Sequence, residues 1–264
     1  MHKSHKNSYD WYLPEPISNE AINEIKLPIS LKAVLIRRGL NSNNRIDEYL
    51  NPPNLPEAYL HFADLHKVIE RIKLAARNKE KVAICGDYDA DGITSSVLLI
   101  KSLKHIGIEC TSVIPNRLNE GYGLNKVMLE KIKNQGINLC ITVDNGVNAT
   151  EALNYANENN IDVIITDHHR IPKSKPKCFA IIHPELTPNN SPYKYVAGVG
   201  VAYIIGCKLI EDKSDISSDL QNLLCIGTIA DMAELKGANI FWLKKYMRIL
   251  HKTRIVGLRC IYKL

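Results

Sequence analysis

Three short apolar runs each lead into a turn rich in acid or imidazole. VAIC enters Gly86-Asp87-Tyr88-Asp89-Ala90-Asp91-Gly92, CITV enters Asp144-Asn145-Gly146, and DVIIT enters Asp167-His168-His169. Carboxylates and neutral imidazoles are the ligands that Mn²⁺, Mg²⁺ and Zn²⁺ take. If the chain brings the turns together, five carboxylates and two imidazoles share one crevice. Such crowding of negative charge is unfavourable unless something positive lies between the groups. The reading is therefore a divalent-metal site.

Each motif also has a plainer reading. The alternating acids Asp87, Asp89 and Asp91, set between two glycines, could be a solvated loop or a helix cap. They are not a calcium loop of the EF-hand type, because the twelfth position from Asp87 is Leu98, in an apolar stretch, where that loop needs a glutamate. Asp144 follows a buried-looking run and needs a cation or a hydrogen-bond partner there, although Asn145-Gly146 also allows it to be a turn former. In Asp167-His168-His169 two adjacent histidines point in different directions, so one can bind metal while the other orients or protonates a phosphate. Arg117, in Pro115-Asn116-Arg117, could clasp a phosphate in a bidentate fork or form a surface ion pair. Gly198-Val199-Gly200 opens a helical segment where backbone N–H groups could approach an anion, and tight helix packing explains the same residues.

The elements that must position these turns read as a repeated β-α arrangement. Strands are expected at KVAICG, near Cys110 to Ile114, at NLCITV, at DVIIT and at Phe179 to Ile182. Helices are expected over about Thr94 to His105, Asn125 to Gly136 and Ala149 to Glu158, then near Val199 to Leu209, Asp219 to Ile226 and Ile240 to His251. Alternation of this kind gives an α/β fold, a parallel sheet flanked by helices, with ligands at the carboxyl ends of the strands. Residues 1–80 read as a small helical appendage, with helical patterns at Ile22 to Leu27, Leu31 to Arg38 and Asp64 to Arg77. Residues 81–235 read as the core, and 236–264 as a basic helical segment beginning a linker.

Bulk properties narrow the class. The chain has 264 residues, 45% hydrophobic and 23% charged, ordinary for a globular protein. No apolar run approaches a membrane span, and the opening MHKSHKNSYDWYLPEP lacks the apolar stretch of a secretory signal, so the cytoplasm is the expected location. The seven cysteines form no C-x-x-C pair and read as reduced core residues. Net charge is +6, yet Leu235 to Leu264 holds eight Lys/Arg and no acid, leaving −2 for the rest. That segment could follow a phosphate backbone or be a solvated helix face.

The segments DYDADG, PNRLNEGYGL, TVDNG, TDHH, AGVGVA and IGTIADMAEL, in order and spacing across residues 81–258, resemble the DHH phosphoesterase family in its RecJ branch of bacterial single-strand-specific DNA exonucleases. WYLPEP and the NPP segment are similar to the leader of that branch. The resemblance implies two divalent cations, manganese or magnesium, held by Asp87, Asp89, Asp91, Asp144, Asp167 and His168. It adds Asp231 of GTIADM as the last ligand, a residue that composition alone leaves as a helix end. It implies that His169 lies near the scissile phosphate, and Asp89, Asp91, Asp144, His168 and His169 are the residues expected to carry the chemistry, with Arg117, Gly198 and Gly200 as candidate substrate contacts.

The implied reaction is in-line hydrolysis without a covalent nucleophile, releasing 5′-mononucleotides from the 5′ end of single-stranded DNA in repair and recombination. A phosphodiesterase acting on short oligonucleotides or cyclic dinucleotides, and a non-catalytic nucleic-acid-binding scaffold, are the alternatives. PNRLNEGYGL and AGVGVA favour the exonuclease, and the complete set of acids argues against the scaffold. There are departures from the pattern. Cys85 stands where many of the family have histidine, and Asn239-Ile240 where Asn-Arg is usual. The RecJ pattern also continues past the position of Leu264 into a substrate-binding domain and an OB-fold. The expectation is intact metal binding with weak processive digestion, single-stranded DNA as partner, a separate chain as a source of the missing domain, and no membrane.

Overall fold

The computed structural model describes residues 16–17, 27–116, 121–210 and 216–262. The chain divides after Pro53 into two units. The expected pattern at Ile22 to Leu27 lies, except for Leu27, outside the described residues.

In the first unit, helix α1 (Ile29–Arg37) falls where the apolar periodicity placed it, and a second helix, α2 (Asn43–Leu50), was not expected. Its signal is Ser42, whose hydroxyl accepts the Arg45 N–H at 3.4 Å and so caps the helix. Leu35 and Ile46 form a small apolar cluster with Leu40 and Tyr49.

The second unit begins at Asn54, not near residue 81 as the sequence suggested. The physical reason lies in α3 (Leu65–Asn78), whose Leu65, Val68, Ile69, Ile72 and Ala75 recur at helical spacing and join the same core as Val82 and Ile84. The stretch after residue 236 also differs from a linker. Helix α9 (Gly237–Tyr246) adds Trp242, Leu243 and Tyr246 to that core, and the expected single helix breaks at Met247–Lys252 into a 3₁₀ turn before α10 (Val256–Tyr262).

The sheet contains β1 (Val82–Gly86), β2 (Cys110–Val113), β3 (Leu139–Val143), β4 (Asp162–Thr166) and β5 (Ala180–Ile182). All pair in parallel in the order β2-β1-β3-β4-β5. β1 and β3 are buried along their whole length, which is why they read as unbroken apolar runs instead of alternating ones. One face packs on α3, α4 (Ala90–His105), α7 (Gly198–Leu209), α8 (Ile216–Ala230) and α9. The other packs on α5 (Lys126–Asn134) and α6 (Thr150–Glu158). The strand order reverses between β1 and β3, because the chain moves outward from β1 to β2 and then returns across it. In open parallel sheets the crevice at such a reversal is where ligands bind.

Among the described residues no helix is long and apolar enough to cross a membrane. Cys85, Cys140 and Cys225 are buried, Cys207 and Cys260 are exposed, and all seven cysteines are free thiols.

Leu98 of α4 is fully buried between sheet and helices, whereas Leu74 of α3 is 40% exposed. Leu98→Ala is expected to lower unfolding free energy by about 2–5 kcal/mol, and Leu74→Ala by less than about 0.5 kcal/mol. Urea denaturation monitored by circular dichroism measures both, and equal losses would contradict this account of the core.

Candidate metal centre

The three strand-end turns expected from the sequence meet at the β1/β3 crevice. Asp87 follows β1 directly and is 1% exposed. Asp89 is exposed and caps α4, its Oδ1 accepting the Gly92 N–H at 2.9 Å. That cap starts the helix at Ala90, four residues before the expected start, so the acidic turn is itself the first helical turn. Gly92 is obligatory there, because a Cβ would lie 2.7 Å from the Asp87 carbonyl oxygen. Asp91, 2% exposed, points inward from α4. Asp144 follows β3 with φ +61, a left-handed conformation uncommon outside glycine. Asp231 follows the end of α8, reaching the site from a different layer.

Among the described residues three sets of ligand atoms cluster tightly enough to hold a cation: Asp144 with His168 and His169, Asp91 with His168 and Asp231, and Asp87 with Asp89 and Asp144. Asp144 and His168 each belong to two sets, which makes them the shared members of adjoining positions. His168 Nε2 lies 3.0 Å from Asp144 Oδ1, 3.8 Å from Asp91 Oδ2 and 3.9 Å from Asp231 Oδ1. Asp144 Oδ1 and Asp87 Oδ1 are both buried, and apart from that 3.0 Å contact neither has a hydrogen-bond partner among the described residues. Buried carboxylate oxygens without donors are costly. Oxygen and imidazole donors converging on such orphaned atoms fit a hard or borderline divalent ion.

The electrostatics agree. Burial, then the Asp144 charge, pushes Asp91 up to about 7. Burial pushes Asp144 up to about 6, with Asp89 adding to it and His168 opposing. Burial also raises Asp87 and Asp231. At His168 burial disfavours the charged ring, but Asp144, Asp231 and Asp91 outweigh it and hold the imidazolium up to about 9. Burial and like charge thus favour the protonated carboxyls here, the imbalance that a bound cation would relieve.

Asp167 behaves differently from the expectation that it is a ligand. Its Oδ1 accepts the His168 N–H at 2.7 Å, the His169 N–H at 3.0 Å and the His169 ring Nδ1–H at 2.8 Å, and its Oδ2 accepts the Val147 N–H at 3.0 Å. It belongs to none of the three ligand sets. Burial alone would raise this carboxyl, but the His169 ring and the backbone donors hold it below the ordinary value. The structure thus gives Asp167 the task of shaping the turn that presents the two histidines.

Gly198 and Gly200 are buried, and their N–H groups are engaged internally. Gly198 N–H donates to Asp91 Oδ2 at 2.7 Å and Val199 N–H to Asp91 Oδ1 at 2.8 Å, so Asp91 caps α7. A Cβ at Gly198 would sit 2.8 Å from the Asp144 Cβ and 2.9 Å from Asp91 Oδ2. Gly200 donates to the Ala197 carbonyl and packs on Val196 and Trp242. The packing explanation describes both glycines in place of an open anion cradle. Arg117 lies outside the described residues.

Three residues escaped the sequence reading. Tyr122, in the Gly121-Tyr122-Gly123 turn, donates to the Asp144 carbonyl at 3.1 Å, and its hydroxyl meets His169 Nε2 at 3.3 Å. A cavity of about 170 Å³ adjoins these rings, lined also by Leu124, Asn148 and Asp167. Asn145, beyond forming a turn, donates to the Cys85 and Val143 carbonyls and accepts the Leu124 N–H at 3.0 Å, tying β1, β3 and the Tyr122 turn together. His183 is fully buried beneath His169. The flanking glycines of Tyr122 were the one available signal. Asn145 showed only as a turn residue of TVDNG and His183 carried no signal, since their partners are remote in sequence.

A family model described as the DHH family, N-terminal domain, matches residues 81–228. Over 234 residues the chain is 35% identical to the single-stranded-DNA-specific exonuclease RecJ of Bacillus subtilis (strain 168), covering 88% of this chain and 29% of that protein. To the RecJ of Haemophilus influenzae it is 31% identical over 236 residues, 85% of this chain and 40% of that one. A crystal structure of exonuclease RecJ bound to manganese superposes with a TM-score of 0.69 at 31% identity, over 79% of this chain and 53% of the other. RecJ of Thermus thermophilus in complex with Mn²⁺ gives 0.71 at 27% identity, over 92% and 35%. The chain thus spans 29% and 40% of the length of those two curated relatives.

Two outcomes follow from the site. Mn²⁺ at about a hundred times its Kd should raise the melting temperature by about 5–10 °C. Asp144→Asn should remove that rise without lowering stability in EDTA, because it relieves a buried like-charge contact. An equal Mn²⁺ shift in both proteins, read by calorimetry, would contradict the assignment. Asp167→Asn should cost about 1–3 kcal/mol at pH 7. A carboxyl whose folded value is depressed stabilises above its unfolded value of about 3.9 and loses that contribution as pH falls through the folded one. The gap between the two proteins should therefore narrow in acid denaturation below about pH 4, and a constant gap would refute the role given to Asp167.

Proposed function

Because this chain belongs to the DHH family, we propose that it hydrolyses phosphodiester bonds at a divalent-metal centre, removing 5′-mononucleotides from the 5′ end of single-stranded DNA. The observation that carries the reading is the clustering of ligand atoms in overlapping sets that share Asp144 and His168, around the buried carboxylates of Asp87, Asp91 and Asp144. The substrate class is supported by the single-stranded-DNA-specific relatives. DNA repair and recombination in the cytoplasm is the matching physiological setting.

In this proposal Asp87, Asp89 and Asp144 hold one manganese or magnesium ion, and Asp91, His168 and Asp231 hold the other. When bound, such ions supply Lewis-acid stabilisation of charge on the phosphoryl oxygens and acidify the attacking water. The chain's own residues do the remainder. Asp144 and His168, 3.0 Å apart, tie the two positions together. His169, its Nδ1–H fixed on Asp167, turns Nε2 toward Tyr122 and the open side, where it can donate to a phosphate oxygen or the leaving group. Arg117 pairs with a substrate phosphate. Asp167 and Asn145 keep the turns in place by hydrogen bonds to backbone. Selectivity for single strands then comes from a narrow passage and base stacking instead of sequence readout.

The test is incubation of the purified chain with Mn²⁺ and 5′-labelled single-stranded DNA, with a dinucleotide in parallel. Labelled mononucleotide should appear, EDTA should abolish it, and Asp144→Ala should reduce the rate by about 100-fold or more. Activity of Asp144→Ala equal to the parent would overturn the site. Preference for the dinucleotide would shift the substrate to short oligonucleotides, and tight DNA binding without turnover would make the chain a scaffold.

A further inference from the structure

His183 is a fully buried titratable group beside the centre that the chemistry above does not use. It follows β5 directly, as the Asp167-His168-His169 turn follows the neighbouring strand β4, so strand pairing alone brings the two together. Its Nε2 lies 2.7 Å from the His169 carbonyl oxygen, and its Nδ1 accepts the Glu185 N–H at 3.1 Å. A carbonyl oxygen only accepts and a backbone N–H only donates, so both contacts are satisfied by one tautomer, neutral with the proton on Nε2. Burial favours that neutral form.

The His169 residue is thereby held at every polar atom. Asp167 takes its backbone N–H and its ring Nδ1–H, the Tyr122 hydroxyl meets Nε2, and His183 takes its carbonyl. Of these restraints only the one from His183 comes from β5, outside the acid turns and the Tyr122 loop. Loss of it frees the peptide after His169 to rotate, and the ring follows, because ring and backbone share the same Asp167 oxygen.

We propose that His183 is a positioning residue, a buried imidazole whose Nε2–H fixes the His169 carbonyl and so aims the His169 ring at the reacting phosphate. This rests on the exonuclease reading for its effect on rate, but not for its effect on the ring. Two substitutions separate the two contacts of His183. His183→Asn keeps an acceptor near the position of Nδ1 and so preserves the cap on Glu185, but cannot reach the His169 carbonyl. His183→Gln places an amide donor near the position of Nε2 and gives up the cap.

With the full chain and Mn²⁺, His183→Asn should lower kcat on single-stranded DNA about 10- to 100-fold, with KM and Mn²⁺ affinity within about threefold of the parent, and His183→Gln should recover most of the rate. The order would be reversed if His183 served only to cap the 3₁₀ turn. Independently of turnover, NMR of the chain labelled with ¹⁵N-histidine should show the His169 ring resonances displaced in His183→Asn and restored in His183→Gln. Unchanged ring resonances in His183→Asn overturn the proposal whether or not the chain is active. Loss of folding in both variants overturns it too, by making the residue structural. A parent chain without activity counts against the exonuclease reading alone, and the ring resonances still decide the role of His183.

Discussion

Mutual repulsion among carboxylates that the fold has removed from water is the constraint on which the rest of this molecule depends. Asp87, Asp91 and Asp144 are nearly inaccessible and drawn from two strand ends and one helix start. Left alone, such a group must bind protons, pair with a cation or push the strands apart. The raised values of Asp91 and Asp144, together with the elevated imidazolium of His168, are the proton-bound solution. A divalent ion is the alternative that leaves every carboxylate ionised. The sheet tolerates the cluster because β1 and β3 are anchored on both faces, by one apolar layer with α4, α7 and α8 and by another with α5 and α6.

Asp91 shows how closely the site and the fold are joined. Its two oxygens cap α7 through Gly198 and Val199, while the same carboxylate faces His168 and Asp231. The positive end of α7 therefore stabilises this carboxylate, and the carboxylate fixes the angle at which α7 meets the sheet. The absence of a side chain at Gly198 is what permits this approach, since Asp144 and Asp91 occupy the space a Cβ would need. Backbone close approach, not an anion cradle, explains the small residues of AGVGVA.

Around the ligand atoms stands a set of groups that hold backbone. Asp167 collects N–H groups from His168, His169 and Val147, Asn145 bridges β1, β3 and the Tyr122 loop, and His183 holds the His169 carbonyl from β5. These are polar groups in a dry environment with nearly complete hydrogen bonding, the condition under which polar networks rigidify a site. The contrast with Asp87 Oδ1, which has no donor among the described residues, and Asp144 Oδ1, which has only the His168 ring beside it, separates the atoms that build the turns from the atoms open to a cation.

The chain by itself determined the β-α alternation, the strand ends where acids gather and the resemblance to the DHH family, because strand burial and turn chemistry are written in consecutive residues. It placed α1 and every strand close to their observed spans, yet missed α2, whose cue is a single Ser42 cap, and misplaced the first boundary, because the apolar stripe of α3 does not say which core it joins. The tertiary structure decided the rest. It surrounded Asp167 with donors and left it out of the three candidate sets, gave Gly198 and Gly200 to packing, brought Asp231 from the end of α8 to within 3.9 Å of His168, and set His183 beneath His169. Each of these depends on contacts between residues far apart along the chain, and strand order and helix docking, not local residue type, fix which distant groups become neighbours.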